Sequence, residues 1–334
     1  MSLMKAFVRA QYGPPSVLEL KDVERPVPND DEILVRVRAS SLNQGDLDYL
    51  YGKPFLTRMG TGLRVPRRPG LGFDAAGEVE AVGKDVTRFK RGDSVLADLT
   101  QYGHSAFAEY AVAPERAWAH KPDGISYEEA ATVPQAAVLA MQGLRGRGGI
   151  RPGSRVLVNG ASGSVGPFAV QIAKALGAHV TAVCSPTKAA MVRGLGADEV
   201  IDYTTEDYTK GGQQYDWILD VAGNRSIFEC RRALTARGVY VLLGGTTIRI
   251  FACLFWGPLI SLADRKKMGF LWWKPFHSED VTHLTRLITD GRITPVIDRT
   301  YPFSETREAL SYLETGKATG KVVLSSRLDL GPIW

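Results

Sequence analysis

Cysteine is scarce: Cys184, Cys230 and Cys253 are the only three in 334 residues. No two are close enough for a Cys-x-x-Cys clip and they give no disulfide framework, which fits a reducing cytoplasm. Long apolar runs are also missing. The most apolar stretch, Ile250 to Ala263 (IFACLFWGPLISLA), carries Gly257-Pro258 inside it and falls short of the ~20 residues that span a bilayer. Lysine and arginine outnumber aspartate and glutamate by 41 to 36, a net charge of +5. The basic residues form only short runs, so no nucleic-acid-binding stripe is indicated. His104, His120, His179, His277 and His283 are scattered without metal-ligand spacing. The opening MSLMKAFVRA is strand-like, with no charged segment leading into an apolar one, so neither a secretory nor a transit peptide is expected.

What remains is an ordinary globular composition, 44% apolar and 23% charged, long enough for about two domains at roughly 150 residues each. The first part reads as β. Ile33 to Ala39 (ILVRVRA) alternates apolar and basic residues like a half-buried strand, GFDAAGEVEAVG alternates small and apolar residues around turn glycines, and Arg91-Gly92-Asp93 is a turn. Short strands with frequent glycine point to a compact barrel-like domain. The texture changes near Ile125. Ser126 with Glu128 and Glu129 predicts a capped helix start. Strands are then expected at Arg155 to Asn159, Val180 to Cys184, Trp217 to Val221 and Val239 to Leu243, with helices between them, including Phe168 to Leu176. Alternating strand and helix is the pattern of a doubly wound parallel sheet. The tail predicts a helix at Glu305 to Leu313 and a last strand at Lys321 to Ser325.

The strongest chemical signal is VLVNGASGSVGPFAVQIAKALGAHVTAVC. A strand leads into the turn Gly160-Ala161-Ser162-Gly163-Ser164-Val165-Gly166, and a helix and a second strand follow. Glycine there lets the backbone approach a pyrophosphate, and the helix N-terminus offers N–H groups and positive dipole. A structural glycine turn is the plainer alternative. An NAD site usually has an acid at the end of the second strand, for the ribose 2′-OH, but from Ala161 to Ala197 there is no Asp or Glu. Ser185 and Lys188 follow that strand instead, with Arg193 beyond. A hydroxyl and a cation suit a 2′-phosphate, hence NADPH, unless Lys188 is merely a solvated surface lysine.

These motifs, with KAFVRAQYGPPSVLEL, EILVRVRASSLNQGD, LGADEVIDY, LLGG and VIDRTYPFSETREALSYLETGKATGKVVL, resemble the medium-chain dehydrogenase/reductase superfamily over essentially the whole chain, specifically its zinc-independent quinone oxidoreductase-like branch. The resemblance implies an α/β fold: a GroES-like β-barrel catalytic domain at 1–124, completed by 293–334, and a Rossmann NADPH-binding domain at 125–292. Zinc members carry a Cys where this chain has Gln44-Gly45-Asp46 and Gly-His-Glu where it has Gly72-Phe73-Asp74, and Phe73 cannot ligate a metal. Related reductases place an Asn-x-x-Asp pair in the pocket, here Asn43 and Asp46. Asn43 is the candidate for orienting the nicotinamide ribose or the substrate. Asp46 is either a buried structural acceptor or a catalytic acid. Tyr49 and Tyr51 either cover the site, donate a proton or pack. Tyr203 is expected beside the 2′-phosphate, Val221-Ala222-Gly223 and Leu243-Gly244-Gly245 at the nicotinamide and ribose, and Lys321 at the cofactor. Leu139, where many relatives have Thr, and Asp48, where they often have an aromatic, depart from the family pattern.

The segment 246–276 joins an apolar run to Arg265-Lys266-Lys267 and Trp272-Trp273. Relatives use this region as a substrate-covering loop and for edge-strand pairing across a dimer. A membrane-surface patch is the alternative. The expected activity is NADPH-dependent hydride transfer to quinones or α,β-unsaturated ketones and aldehydes, without zinc, by a cytoplasmic homodimer. The rival is a non-enzymatic NADPH-binding sensor or interaction protein on the same fold.

Overall fold

The computed structural model describes residues 2–55, 57–103 and 105–328; His104 lies outside them. Two compact units form. Among the described residues, one comprises 2–135, 275–289 and 295–328, the other 136–274 and 290–294.

The first unit begins with the antiparallel pair β1 (Leu3–Val8) and β2 (Glu19–Glu24). Its main sheet starts with β3 (Glu32–Ser41), followed by helices α1 (Gln44–Tyr51) and α2 (Thr57–Thr61). The strands β4 (Asp74–Val82), β5 (Ser94–Asp98), β6 (Tyr110–Pro114) and β7 (Trp118–His120) come next, then the short helix α3 (Tyr127–Ala131). Ser126 caps α3 as expected: its Oγ accepts from Glu129 N at 3.1 Å, and Glu129 Oε2 accepts from Ser126 N at 2.8 Å. β3 is more deeply buried than its alternation predicts, because it pairs with both β4 and β6 and its apolar residues Ile33, Val35 and Val37 join one core with Val79, Val95 and Trp118.

The second unit contains α4 (Ala136–Arg145), β8 (Arg155–Asn159), α5 (Gly166–Ala175), β9 (His179–Cys184), α6 (Ala189–Gly194), β10 (Glu199–Asp202), β11 (Tyr215–Asp220), α7 (Ile227–Arg232), β12 (Leu234–Leu242), α8 (Thr247–Ala263) and β13 (Lys267–Phe270). Every strand pair is parallel, in the order β10-β9-β8-β11-β12-β13. Numbered within the sheet, that is 3-2-1-4-5-6, the Rossmann order, whose reversal between β8 and β11 defines the crevice where dinucleotides bind. The region expected as a covering loop is instead mostly helix. α8 runs unbroken through Pro258, and β13 ends the sheet beside it.

The chain then returns to the first unit with α9 (Ser278–Thr289), β14 (Ile297–Pro302), α10 (Thr306–Glu314) and β15 (Lys321–Ser325). β15 pairs antiparallel with β3, Val323 opposite Ser41, and joins the main sheet. This pairing carries Lys321 into the first unit's core.

Candidate functional site

The glycine turn gives each glycine a different task. Gly160 has φ +87°, a left-handed turn that other residues rarely adopt. A Cβ on Gly163 would meet nothing closer than Gly160 O at 3.8 Å, so the backbone there is open to close approach. A Cβ on Gly166 would sit 2.3 Å from Gly160 O and from Ala161 C, so only glycine lets α5 start against the turn. Tight turn, open approach and close helix packing are the three properties of a pyrophosphate cradle. Val165 precedes α5 without a side-chain cap, and Pro167 occupies its first turn, which leaves the end's N–H groups to a ligand.

Asp220, which the sequence reading missed, ties together the strand ends next to this turn. Its Oδ1 accepts from Asn159 Nδ2 at 2.7 Å and from Gly223 N at 2.8 Å, and its Oδ2 accepts from the Tyr240 hydroxyl at 2.9 Å. Burial pushes the Asp220 carboxyl up against these stabilising donors. The loops holding Val221, Ala222, Leu243 and Gly244 touch backbone to backbone, since a Cβ on Gly223 would lie 2.3 Å from Gly244 O. An acid ending a strand one partner away from Asn159 was the available signal.

At the end of β9, Ser185 Oγ and Thr187 Oγ1 are 3.1 Å apart, and a single 3-10 turn holds Pro186–Lys188. Tyr203 is half exposed, its N–H donating to Cys184 O at 3.3 Å. An acid does reach this corner, but from the neighbouring strand: Asp202 of β10 lies in register with Cys184. The Cys184 thiol is pushed up first by burial and then by Asp202, against the pull of Arg193 and Lys188. Asp202 spends Oδ1 on the N–H and hydroxyl of Thr204, at 2.9 and 2.7 Å. Scanning forward along the chain could not find Asp202, because only the parallel pairing of β10 with β9 brings it to the turn.

The first unit holds a second polar centre. Lys321 Nζ donates to Asn43 Oδ1 at 2.6 Å and lies 3.3 Å from Asp74 Oδ2, with both charged side chains fully buried. Asp74 Oδ2 also accepts from Asn43 Nδ2 at 2.9 Å and from the Ser41 hydroxyl at 2.8 Å. The Asn43 amide is therefore fixed at both ends, its oxygen on the ammonium and its nitrogen on the carboxylate. Asp46 accepts from Asn43 N at 2.8 Å, the backbone half of a capping box opening α1. Asp98, opposite Asp74 in the sheet, accepts from Thr100 N at 2.8 Å and from the Thr100 hydroxyl. The second oxygens of Asp46, Asp74 and Asp98 are buried without a hydrogen-bond partner. Burial pushes Asp46 up to about 8 and Asp98 up to about 7. Burial also raises Asp74, opposed by Lys321, and lowers Lys321, opposed by Asp74. We read the Asp74–Lys321 contact as an ion pair flanked by two acids whose carboxyls burial raises toward neutrality.

Asn43, Asp46 and Lys321 thus come together with Asp74 and Asp98, which the sequence reading did not select. Lys321, expected at the cofactor, has no exposed side-chain surface and is hydrogen-bonded to Asn43. Tyr49 packs edge-on against Phe73, ring centres 5.1 Å apart. Tyr51 lies apart, its hydroxyl donating to Glu314 Oε1 at 2.5 Å, a contact that raises its pKa. Phe73 is buried, and among the described residues no three His, Cys, Asp or Glu side chains are grouped to hold a metal ion. A cavity of about 540 Å³ elsewhere in this unit, lined by Arg25, Arg36 and Tyr110 among others, contains none of these residues.

A family model described as an alcohol dehydrogenase GroES-like domain matches residues 29–142, and one described as a zinc-binding dehydrogenase matches residues 195–324. A chloroplast envelope quinone oxidoreductase homolog from Arabidopsis thaliana is 32% identical over 336 residues, covering 96% of this chain and 98% of its own. A mitochondrial NAD(P)H oxidoreductase from Mus musculus is 33% identical, covering 97% and 89%. The solved structure of the quinone oxidoreductase from Coxiella burnetii superposes with a TM-score of 0.86 at 30% identity, covering 98% of this chain and 100% of that one.

Proposed function

Since the chain belongs to the medium-chain dehydrogenase/reductase superfamily, in its quinone oxidoreductase-like branch, we propose that it is an NADPH-dependent reductase of quinones or α,β-unsaturated ketones and aldehydes that works without zinc. The observation that carries this reading is the Asn43 amide, held between Lys321 and Asp74, the residue that follows Phe73, which stands in place of a metal-ligating histidine. Bound NADPH supplies the hydride, and the protein's share is position and electrostatics. Gly160, Ser162, Gly163, Ser164, Val165 and Gly166 hold the pyrophosphate on backbone N–H groups, with Ser185, Lys188 and Tyr203 at the 2′-phosphate. The strand-end loops carrying Val221, Ala222, Leu243 and Gly244 take the nicotinamide half. Asn43 orients the reacting groups and Lys321 fixes Asn43, while Tyr49 covers the site.

The test is NADPH oxidation, followed by loss of the reduced nicotinamide absorbance, with a panel of quinones and enones, repeated after exhaustive chelation. Turnover that survives chelation supports the reading. NADPH binding without turnover on any member leaves the non-enzymatic binder. Loss of turnover with stoichiometric zinc overturns the metal-free assignment. A cytoplasmic homodimer completes the proposal; fractionation and light scattering are its checks.

A further inference from the structure

We infer that α8 docks the protein onto membrane surfaces rich in anionic phospholipid. The helix is turned inside out. Its inward residues Cys253, Gly257 and Ile260 are small or medium, and a Cβ on Gly257 would lie 2.8 Å from Met268 O of β13. Ser261 pins the same face, with Met268 N donating to its Oγ at 2.9 Å. The large apolar residues Ile248, Phe251, Phe255, Leu259 and Leu262 point outward, at spacings of three and four that place them along one face. Ile248 is 79% exposed and Leu262 85%. At 1.5 Å per residue the stripe is about 21 Å long. Trp256 widens it, in ring contact with Phe228 at 5.5 Å and Phe255 at 5.0 Å. Soluble surfaces scatter such residues singly; a continuous stripe marks a contact face.

The surrounding charge selects the occupant. From Thr246 to Phe276 the basic residues are Arg249, Arg265, Lys266, Lys267 and Lys274, and the single acid, Asp264, is bridged to Arg231 at 3.1 Å. A second copy packed antiparallel on α8 would bring Arg249 toward the partner's Arg265 to Lys267 end, where the one acid of the segment, Asp264, is already engaged by Arg231. An anionic lipid surface neutralises both ends at once and takes up the apolar stripe, with tryptophan at the headgroup level. No helix among the described residues is long and apolar enough to cross a membrane, so α8 lies in the interface plane. This inference does not depend on the reductase reading.

The test is co-sedimentation of the full chain with vesicles of equal parts phosphatidylcholine and phosphatidylglycerol, against phosphatidylcholine alone, with tryptophan emission recorded in parallel. The expected result is roughly tenfold stronger partition onto the anionic vesicles, a blue-shifted emission, and release by high salt. Leu262→Glu should reduce partition about tenfold without moving the melting temperature, since that residue is exposed. Arg265→Glu should weaken binding to the anionic vesicles alone. Weak and equal partition onto both vesicle types, or partition unchanged in Leu262→Glu, would overturn the inference. So would a dimer that ignores vesicles and whose mass halves in Leu262→Glu.

Discussion

Residues 160–166 make the glycine turn from one stretch of chain, whereas the polar centre of the first unit draws Ser41, Asn43, Asp46, Asp74, Asp98 and Lys321 from four separate places. The turn works through backbone, so its requirement is written as glycine spacing, and each glycine's surroundings match its place in the motif. The centre works through side chains whose state depends on one another. Asn43 is oriented by Lys321 and Asp74, and burial raises the flanking Asp46 and Asp98 carboxyls. A local motif can be damaged one residue at a time. A distributed one should respond as a unit, and that difference can be measured.

The largest effect is expected within the turn. Gly166→Ala places a methyl 2.3 Å from backbone that cannot move cheaply. Overpacking of this kind costs about 3 kcal/mol, which should lower the melting temperature of the second unit by roughly 6–12 °C. Gly163→Ala has open space, so it should leave the melting temperature unchanged and weaken dinucleotide binding by about tenfold, as read by calorimetry. Equal destabilisation by both would mean that the glycines serve packing alone.

Next is Asn43→Ala, expected to lower kcat about a hundredfold, or ~2.7 kcal/mol, with NADPH affinity nearly intact. If the centre acts as a unit, Lys321→Met should share most of that loss, and the double variant should lose little more than either single one. Fully additive losses would reduce the centre to independent contacts.

The turn, the strands from Arg155 and Val180 and the helix between them were legible because their signals are local: apolar runs of strand length broken by glycine. The capped start at Ser126 and the last strand at Lys321 were legible for the same reason. Helix α8 was not. Its outward face is apolar, so it shows no amphipathic period, and Gly257-Pro258 resembles a break. Asp74 was read only as part of the place where zinc members carry Gly-His-Glu, and Asp98 carries no motif; only the pairing of β4 with β5 sets the two opposite each other. Asp202 reached its corner in the same way, through β10.

The centre also predicts how stability depends on pH. Asp98 is raised from 3.8 in the unfolded chain to about 7 in the folded one, so between those values the folded state binds the extra proton. The group's contribution is fully present below about pH 4 and is lost as pH rises through about 7. Asp98→Asn removes that loss. At about pH 8.5, above the folded value, it should be more stable than the parent by about 2 kcal/mol, and at about pH 4 the gain should vanish, as followed by urea unfolding. A gain of equal size at both pH values would mean that the carboxyl is ionised throughout.

The smallest effect concerns the corner after β9. Lys188 offers a cation there, and a charge-assisted hydrogen bond of roughly 1.5–3 kcal/mol amounts to about tenfold or more in affinity. Lys188→Ala should therefore weaken NADPH binding about tenfold and scarcely change NADH binding. Asp202 acts in the opposite sense. Its carboxylate stands beside Cys184 at the end of the adjacent strand, with one oxygen already held by Thr204. A partly solvated charge at that distance should repel a phosphate dianion by only a few tenths of a kcal/mol up to about one. Asp202→Asn should then sharpen the preference for NADPH by about two- to fivefold. Opposite shifts in the two variants, both confined to NADPH, would identify this corner as the one that reads the 2′-phosphate. Equal losses for NADPH and NADH in Lys188→Ala would move the discrimination elsewhere and leave Lys188 as a surface lysine.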